Sequence, residues 1–146
     1  MTDQAAVSKA EAEKIVREGV PFIGRHGVVV DQVGPGTATL SLAYTDEMVR
    51  PGGTVAGPVL FGLADVALYV AILGEIGPVE LAVTTSMNIN FLRKPPQTVL
   101  VAKARLLKAG KRLIVGEVTL FADGVDDGPV AHVTGTYSVP VQKAKP

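Results

Sequence analysis

The sequence predicts an α+β domain in which one long, buried central helix is wrapped by a curved antiparallel sheet of six strands. Three observations predict it. From Val59 to Leu73 the chain is apolar or small at almost every position, with Asp65 alone in the middle. Around that run lie strand-length segments that alternate or are rich in β-branched residues, separated by Gly, Pro and Asp turns. At 146 residues the chain has the length of one domain, 1–146, with a real core. A helix apolar on all faces must be surrounded, and strands curled around it achieve that.

Residues 1–7 and 141–146 read as disordered tails. Ser8 caps a short helix running through Glu18, because Glu11 follows in the capping-box position. Ile15 and Val16 give this helix a small apolar face, Gly19 stops it, and Pro21 to Gly24 reads as a turn. His26 to Val33 and Thr37 to Tyr44 form a hairpin broken at Gly34-Pro35-Gly36, and Thr45 to Thr54 is a loop.

Hydrophobicity alone allows the central run to be a buried strand. Its length and its Leu, Ala and Gly content decide for a helix. Pro58 suits the first helical position, where a missing N–H costs nothing. Gly74 and Gly77-Pro78 end the helix. Glu80 to Leu92 then alternates: Val83, Thr85, Met87, Ile89 and Phe91 are predicted to face one way, Thr84, Ser86, Asn88 and Asn90 the other. After Lys94-Pro95-Pro96, three strands follow: Thr98 to Lys108, Arg112 to Phe121 and Pro129 to Val139. They are joined by Ala109-Gly110-Lys111 and a polar turn from Asp123 to Gly128.

Acidic and basic residues balance at 14 each, so no strong field points to nucleic acid or an anionic membrane. Without cysteine there is no disulfide framework, thiolate nucleophile or cysteine zinc site. His26 and His132 are too few for a histidine-built metal centre, so no metal is expected. Residues 1–13 lack the apolar run of a signal peptide. The run from Val59 to Leu73 is too short to span a bilayer and carries Asp65, which leads to the expectation of a soluble cytoplasmic protein. One short sheet cannot cover the helix fully, so the helix's outer side or the sheet edge is expected to meet another subunit.

The helix start and Asp65 are the candidate site. Unpaired N–H groups and the positive dipole end favour negative charge there, and an amide at Gly57 can hold an oxyanion. Gly-Pro can equally do no more than shape the helix entry. A carboxylate within an apolar helix costs desolvation unless it is paired or opens on a cavity. Such an acid suits a nucleophile or general base, or else it is structural, bonded to backbone. Gly57 and Asp65 are eight residues apart, about 12 Å along a helix at 1.5 Å per residue. Catalytic groups must lie within about 3 Å of the reacting centre, so the spacing favours a two-fold dimer with two composite sites. Thr84 and Ser86 can orient water or be ordinary strand hydroxyls. Arg93 and Lys94, with Lys108, Lys111 and Arg112, can bind phosphates or form a solvated basic rim. His132 reads as structural.

Two stretches carry a family resemblance. They are Gly57-Pro58-Val59-Leu60-Phe61-Gly62-Leu63-Ala64-Asp65 and Val83-Thr84-Thr85-Ser86-Met87-Asn88-Ile89-Asn90-Phe91-Leu92-Arg93-Lys94-Pro95. Together they resemble the hotdog-fold thioesterases of the phenylacetate-degradation (PaaI-type) family, over roughly Gly27 to Val139. The resemblance implies the hotdog fold, dimers and often homotetramers, and hydrolysis of acyl-coenzyme A thioesters with no cofactor beyond the coenzyme A of the substrate. It implies that Asp65 is the catalytic acid, that the Gly57 N–H polarises the thioester carbonyl from the opposite subunit, and that Thr84 helps position the attacking water. It further implies that the hairpin around Gly110 and Lys111 contacts coenzyme A. The sequence departs from the family pattern at three positions: Ala56 and Pro58 replace the histidine and second glycine of a His-Gly-Gly motif, and Arg50 replaces an asparagine near the thioester. Arg50 can then pair with Asp65 or contact substrate, so Arg50, Pro58, Arg93, Gly110 and Lys111 are the candidate binding residues.

The altered motif leaves a second reading: a non-catalytic protein of the same fold that binds acyl-CoA or another small ligand. A hotdog hydratase or dehydratase is disfavoured because that chemistry typically pairs an aspartate with a nearby histidine, and His26 and His132 are remote in sequence.

Overall fold

The apolar run folds as α3 (Gly57–Ile76), a helix buried along most of its length. The computed structural model describes residues 4–140. Before α3 come α1 (Lys9–Gly19), the four-residue α2 (Pro21–Gly24), and the hairpin of β1 (Val29–Gly34) and β2 (Thr37–Leu42). After it come β3 (Val83–Phe91), β4 (Leu100–Ala109), β5 (Leu113–Ala122) and β6 (Ala131–Ser138). The six strands make one antiparallel sheet in the order β1-β2-β4-β5-β6-β3, which packs around α3 as the hotdog fold requires. β3 therefore lies at an edge, with β6 as its sole partner among the described residues.

Close approach of helix to sheet is set by two glycines. Gly116 and Gly135 pair across β5 and β6, and Leu68 of α3 sits over both. A Cβ at Gly135 would lie 2.9 Å from Leu68 Cδ2, and one at Gly116 would press on Leu68 Cδ1 and the Arg105 carbonyl. Glycine at both positions lets the helix settle against the sheet where any side chain would hold it off.

The capping box at the start of α1 is formed, with Ser8 Oγ accepting from the Glu11 N–H at 3.1 Å and Glu11 Oε1 accepting from the Ser8 N–H at 3.2 Å. Ala12 and Val16 bury its inner face, and Glu13 accepts from the Val30 N–H at 3.0 Å, tying α1 to β1.

Four expectations need correction. The N-terminal tail is docked from Ala6 onward: its N–H donates to the Gly74 carbonyl at 2.8 Å and Val7 is buried in the core. (Residues 1–3 and 141–146 lie outside the described residues.) The segment from Pro21 to Gly24 is a single helical turn opened by proline. The central helix, at 20 residues, is long and apolar enough to cross a membrane, because it extends past both ends of the apolar run; here most of it is buried inside the fold.

The fourth correction bears on function. β3 does not alternate without interruption. Thr84 pairs with Tyr137 and Ser86 with Thr136, so Thr85 is the extra residue of a β-bulge. Directly paired residues share a face. The bulge therefore moves Thr84 to the helix side with Met87 and Ile89, while Val83 moves to the outer side.

Candidate active site

Asp65 lies on α3 where the helix faces the bulge. Its carboxylate is half-buried and opens on a cleft of about 800 Å³ beneath α1. No polar or charged residue is fully buried among the described residues, so Asp65 escapes the desolvation expected for a central position in the core. Two hydroxyls converge on one of its oxygens. Thr84 Oγ1 donates to Oδ1 at 2.7 Å and the Tyr137 hydroxyl donates to the same Oδ1 at 2.6 Å. Tyr137 Oη also lies 3.0 Å from the Asp65 backbone carbonyl. Among the described residues, nothing donates to Oδ2.

Tyr137 is buried on β6 and stacked on Tyr69 of α3, with ring centroids 6.1 Å apart and planes 15° from parallel. Burial first, and then the Asp65 charge, push its phenol pKa well above the ordinary value. The hydroxyl thus keeps its proton as a donor throughout the working pH range. Tyr69 is raised too, by burial and then by Glu80, and its hydroxyl donates to the Glu80 carbonyl at 3.2 Å.

Tyr137 is absent from the residues singled out in the sequence. Its signal was there in part: in the alternation of β6 it falls on the apolar face with Val133 and Gly135, and a buried tyrosine hydroxyl needs a partner. What sequence could not supply is the register that sets it opposite Thr84.

The start of α3 is built from backbone. Ala56 is the N-cap and offers no side-chain cap; Gly57 is the first helical residue and Pro58 the second, one position later than predicted. The Ala56 N–H donates to the Met48 carbonyl at 2.7 Å and the Val59 N–H to the Ala56 carbonyl at 3.0 Å. Pro58 has no N–H. Among the described residues the Gly57 N–H has no hydrogen-bond acceptor, which leaves it the free donor of this turn. Gly57 lines a second cleft, of about 410 Å³, shared with Arg50, Phe91, Arg93 and Lys94. A Cβ on Gly57 would lie 3.1 Å from the Phe91 ring.

Within one copy, the structure does not unite the predicted residues. Among the described residues none lines both clefts. Arg50 is exposed at the Gly57 cleft and, among the described residues, forms no ion pair with Asp65. Arg93 lies there as well, donating to the Pro129 carbonyl at 2.8 Å. Pro58 is exposed and lines neither cleft. Gly110 and Lys111 cap the β4–β5 hairpin, and the ladder places them at the sheet end that carries Thr84 and Tyr137, opposite Phe91. His132 pairs with Glu117 at 2.9 Å on the outer face of the sheet, the structural place expected of it. Among the described residues no group of three His, Cys, Asp or Glu could hold a metal ion.

Comparison with known proteins places this geometry in a family. The family model described as Thioesterase superfamily matches residues 52–128, which span the Gly57 start of α3, Asp65 and β3 to β5. A solved structure of a candidate thioesterase from Silicibacter sp. TM1040 is 40% identical, covers 94% of each chain and superposes with a TM-score of 0.82. The phenylacetic acid degradation protein PaaI of Thermus thermophilus, solved as a mutant, is 27% identical over 81% of this chain and 97% of its own, with a TM-score of 0.71. A candidate esterase of Saccharolobus solfataricus is 27% identical over 77% of this chain and 73% of its own.

Proposed function

The chain belongs to the thioesterase superfamily, and we propose that it hydrolyses an acyl-CoA thioester at composite sites, each shared between two copies. The observation that carries this reading is the division of labour along α3. Asp65, with one anchored oxygen, lines one cleft, and Gly57, with a free backbone N–H, lines another about 12 Å away along the helix.

Edge strand β3 supplies the means of joining them. An antiparallel pairing of β3 with its own copy, centred on Asn88 and with Thr85 bulged out of each strand, would set Thr84 of one copy opposite Phe91 of the other. Phe91 packs at Gly57, and Thr84 holds Asp65. Val83 and Phe91 are both exposed at this edge, as are Leu81 and Leu92 beyond it. The same pairing would bring Arg50, Arg93 and Lys94 of one copy toward Lys111 of the other, a set of cations suited to the phosphates of coenzyme A.

In the proposed reaction the Gly57 N–H of one copy donates to the thioester carbonyl oxygen. Asp65 of the other copy takes a proton from water through Oδ2, and the water oxygen bonds to the carbonyl carbon. The charge that gathers on the carbonyl oxygen is held by the Gly57 donor. Collapse re-forms the carbonyl and breaks the carbon–sulfur bond. The thiolate leaves and takes up the proton that Asp65 carries, giving free acid and coenzyme A. Thr84 supports water as the attacking group over the carboxylate itself: its proton goes to Asp65, so its oxygen keeps lone pairs with which to accept a hydrogen bond from water.

The test is thiol release from a panel of acyl-CoA substrates of varied length and aromaticity, always beside Asp65→Asn. We expect turnover of at least one substrate, and a loss on the order of 10²–10⁴ in the variant. Tight binding of an acyl-CoA, with turnover no faster than that of the variant across the panel, would instead identify a ligand-binding protein on this fold.

A further inference from the structure

Asp65 is a carboxylate with two unlike oxygens. Oδ1 accepts from both Thr84 and Tyr137, at 2.7 and 2.6 Å. Oδ2 accepts from no described residue, and Asp65 lines the cleft. Tyr137 differs from Thr84 in one respect: its hydroxyl is within 3.0 Å of the Asp65 backbone carbonyl as well as of the side chain. It therefore fixes the carboxylate relative to its own main chain.

Resting on the thioesterase reading above, we propose that Tyr137 is a positioning residue for this site: it anchors Oδ1 so that Oδ2 is the oxygen presented to the reacting water. The surrounding structure suits that task. The ring is buried, stacked on Tyr69 and carried by a strand that pairs on both sides. The hydroxyl has little freedom, and the charge of its acceptor strengthens the bond it makes. The bulge at Thr85 is part of the same device, because it sets Thr84 directly across the ladder from Tyr137 and so lets two strands serve one oxygen. Thr84 is exposed whereas the Tyr137 ring is buried, so the tyrosine donor has less room to follow the carboxylate if it turns and holds the orientation more firmly.

Two measurements test the assignment. The first is the kinetics of Tyr137→Phe, which keeps the ring and its stack and removes the donor. We expect kcat to fall about tenfold, the effect of one hydrogen bond to a charged group, with KM unchanged within about twofold. A purely structural role would move KM and the melting temperature as much as kcat. The second needs neither turnover nor a Tyr137 variant. In the wild-type protein the Tyr137 hydroxyl proton should give a slowly exchanging, far-downfield NMR signal that moves or vanishes in Asp65→Asn.

Wild-type kcat in Tyr137→Phe, or a hydroxyl proton indifferent to Asp65→Asn, overturns the proposal. A wild-type protein inert toward every acyl-CoA overturns the thioesterase reading instead, and the hydroxyl signal then decides on its own whether Tyr137 anchors Asp65.

Discussion

The two ends of the proposed site are made of different materials. At Asp65 the geometry is built from side chains on three elements, α3, β3 and β6, and it depends on a bulge being in register. At Gly57 it is built from the main chain of one helix start, where Ala56 and Val59 already have acceptors and Pro58 has no proton to give. The first end is vulnerable to changes of functional group. The second is indifferent to most side chains except through bulk, and it is vulnerable to loss of a single N–H. This also explains how a chain with Ala56 and Pro58 can keep the donor that a His-Gly-Gly motif would supply: neither position carries the N–H in question.

Gly57→Pro breaks the comparison most directly. Proline is favoured at the first helical position, and Ala56 already has the extended backbone, φ −68° and ψ 143°, that a residue before proline needs. The helix should survive while the donor disappears, and we expect kcat to fall on the order of 10²–10³. Gly57→Ala is the control for bulk: its methyl meets the Phe91 ring at 3.1 Å but the N–H stays, so the loss should be smaller. Refolding Gly57→Pro together with Asp65→Asn sharpens the point. A mixed pair holds one site with both Gly57 and Asp65 intact, so activity should return; sites contained within one copy would stay dead in the mixture.

The same contrast governs what could be read from sequence. The Gly57 end was legible because it depends on local features: a glycine before a proline, at the head of a long apolar run, makes a helix start with a free donor. Asp65 was legible as an oddity of composition, and the elements themselves followed from period and punctuation. The arrangement around Asp65 was not legible. A period-2 reading sends Thr84 to the outer face with Ser86, and only the bulge at Thr85 reverses it. Bulges leave little trace in a β-branched, hydroxyl-rich segment, and the pairing of β3 with β6 spans all of β4 and β5 in the intervening chain. Tyr137 looked like one more core residue for the same reason: its partner is set by long-range register.

Between the two ends, Leu68 rests on Gly116 and Gly135. Gly135→Ala tests whether the Asp65 end depends on that seat. Its Cβ would meet Leu68 at 2.9 Å and Met87 Cγ at 3.0 Å, so helix or strand must yield. Overpacking of this kind costs roughly 1–3 kcal/mol. Calorimetry should show the lower melting temperature. Leu68 is one turn beyond Asp65, and Gly135 lies two residues from Tyr137 on the same face of β6, so turnover should fall as well. A variant less stable but fully active would show that the side-chain end tolerates displacement of its helix.

The smallest effect is expected on the outer face of the sheet, away from both clefts. Glu117 accepts from Arg105 Nε at 2.6 Å and pairs with His132 at 2.9 Å. The hydrogen bond with His132, then that from Arg105, hold its carboxyl pKa below the ordinary value of 4.5. A depressed folded-state pKa means that the unfolded chain takes up its proton first as pH falls. The stabilisation is therefore fully present above the ordinary carboxylate value and is lost as pH drops through the lower, folded one. Arg105 is largely exposed, so solvent screens the pair. Glu117→Gln should lower the melting temperature by about 1–3 °C near pH 6, and the gap to wild type should close on acidification below the ordinary carboxylate range. Turnover at pH 6 should be unchanged, because neither cleft includes Glu117. A gap that widened in acid would mean that the pair is not what holds the carboxyl down.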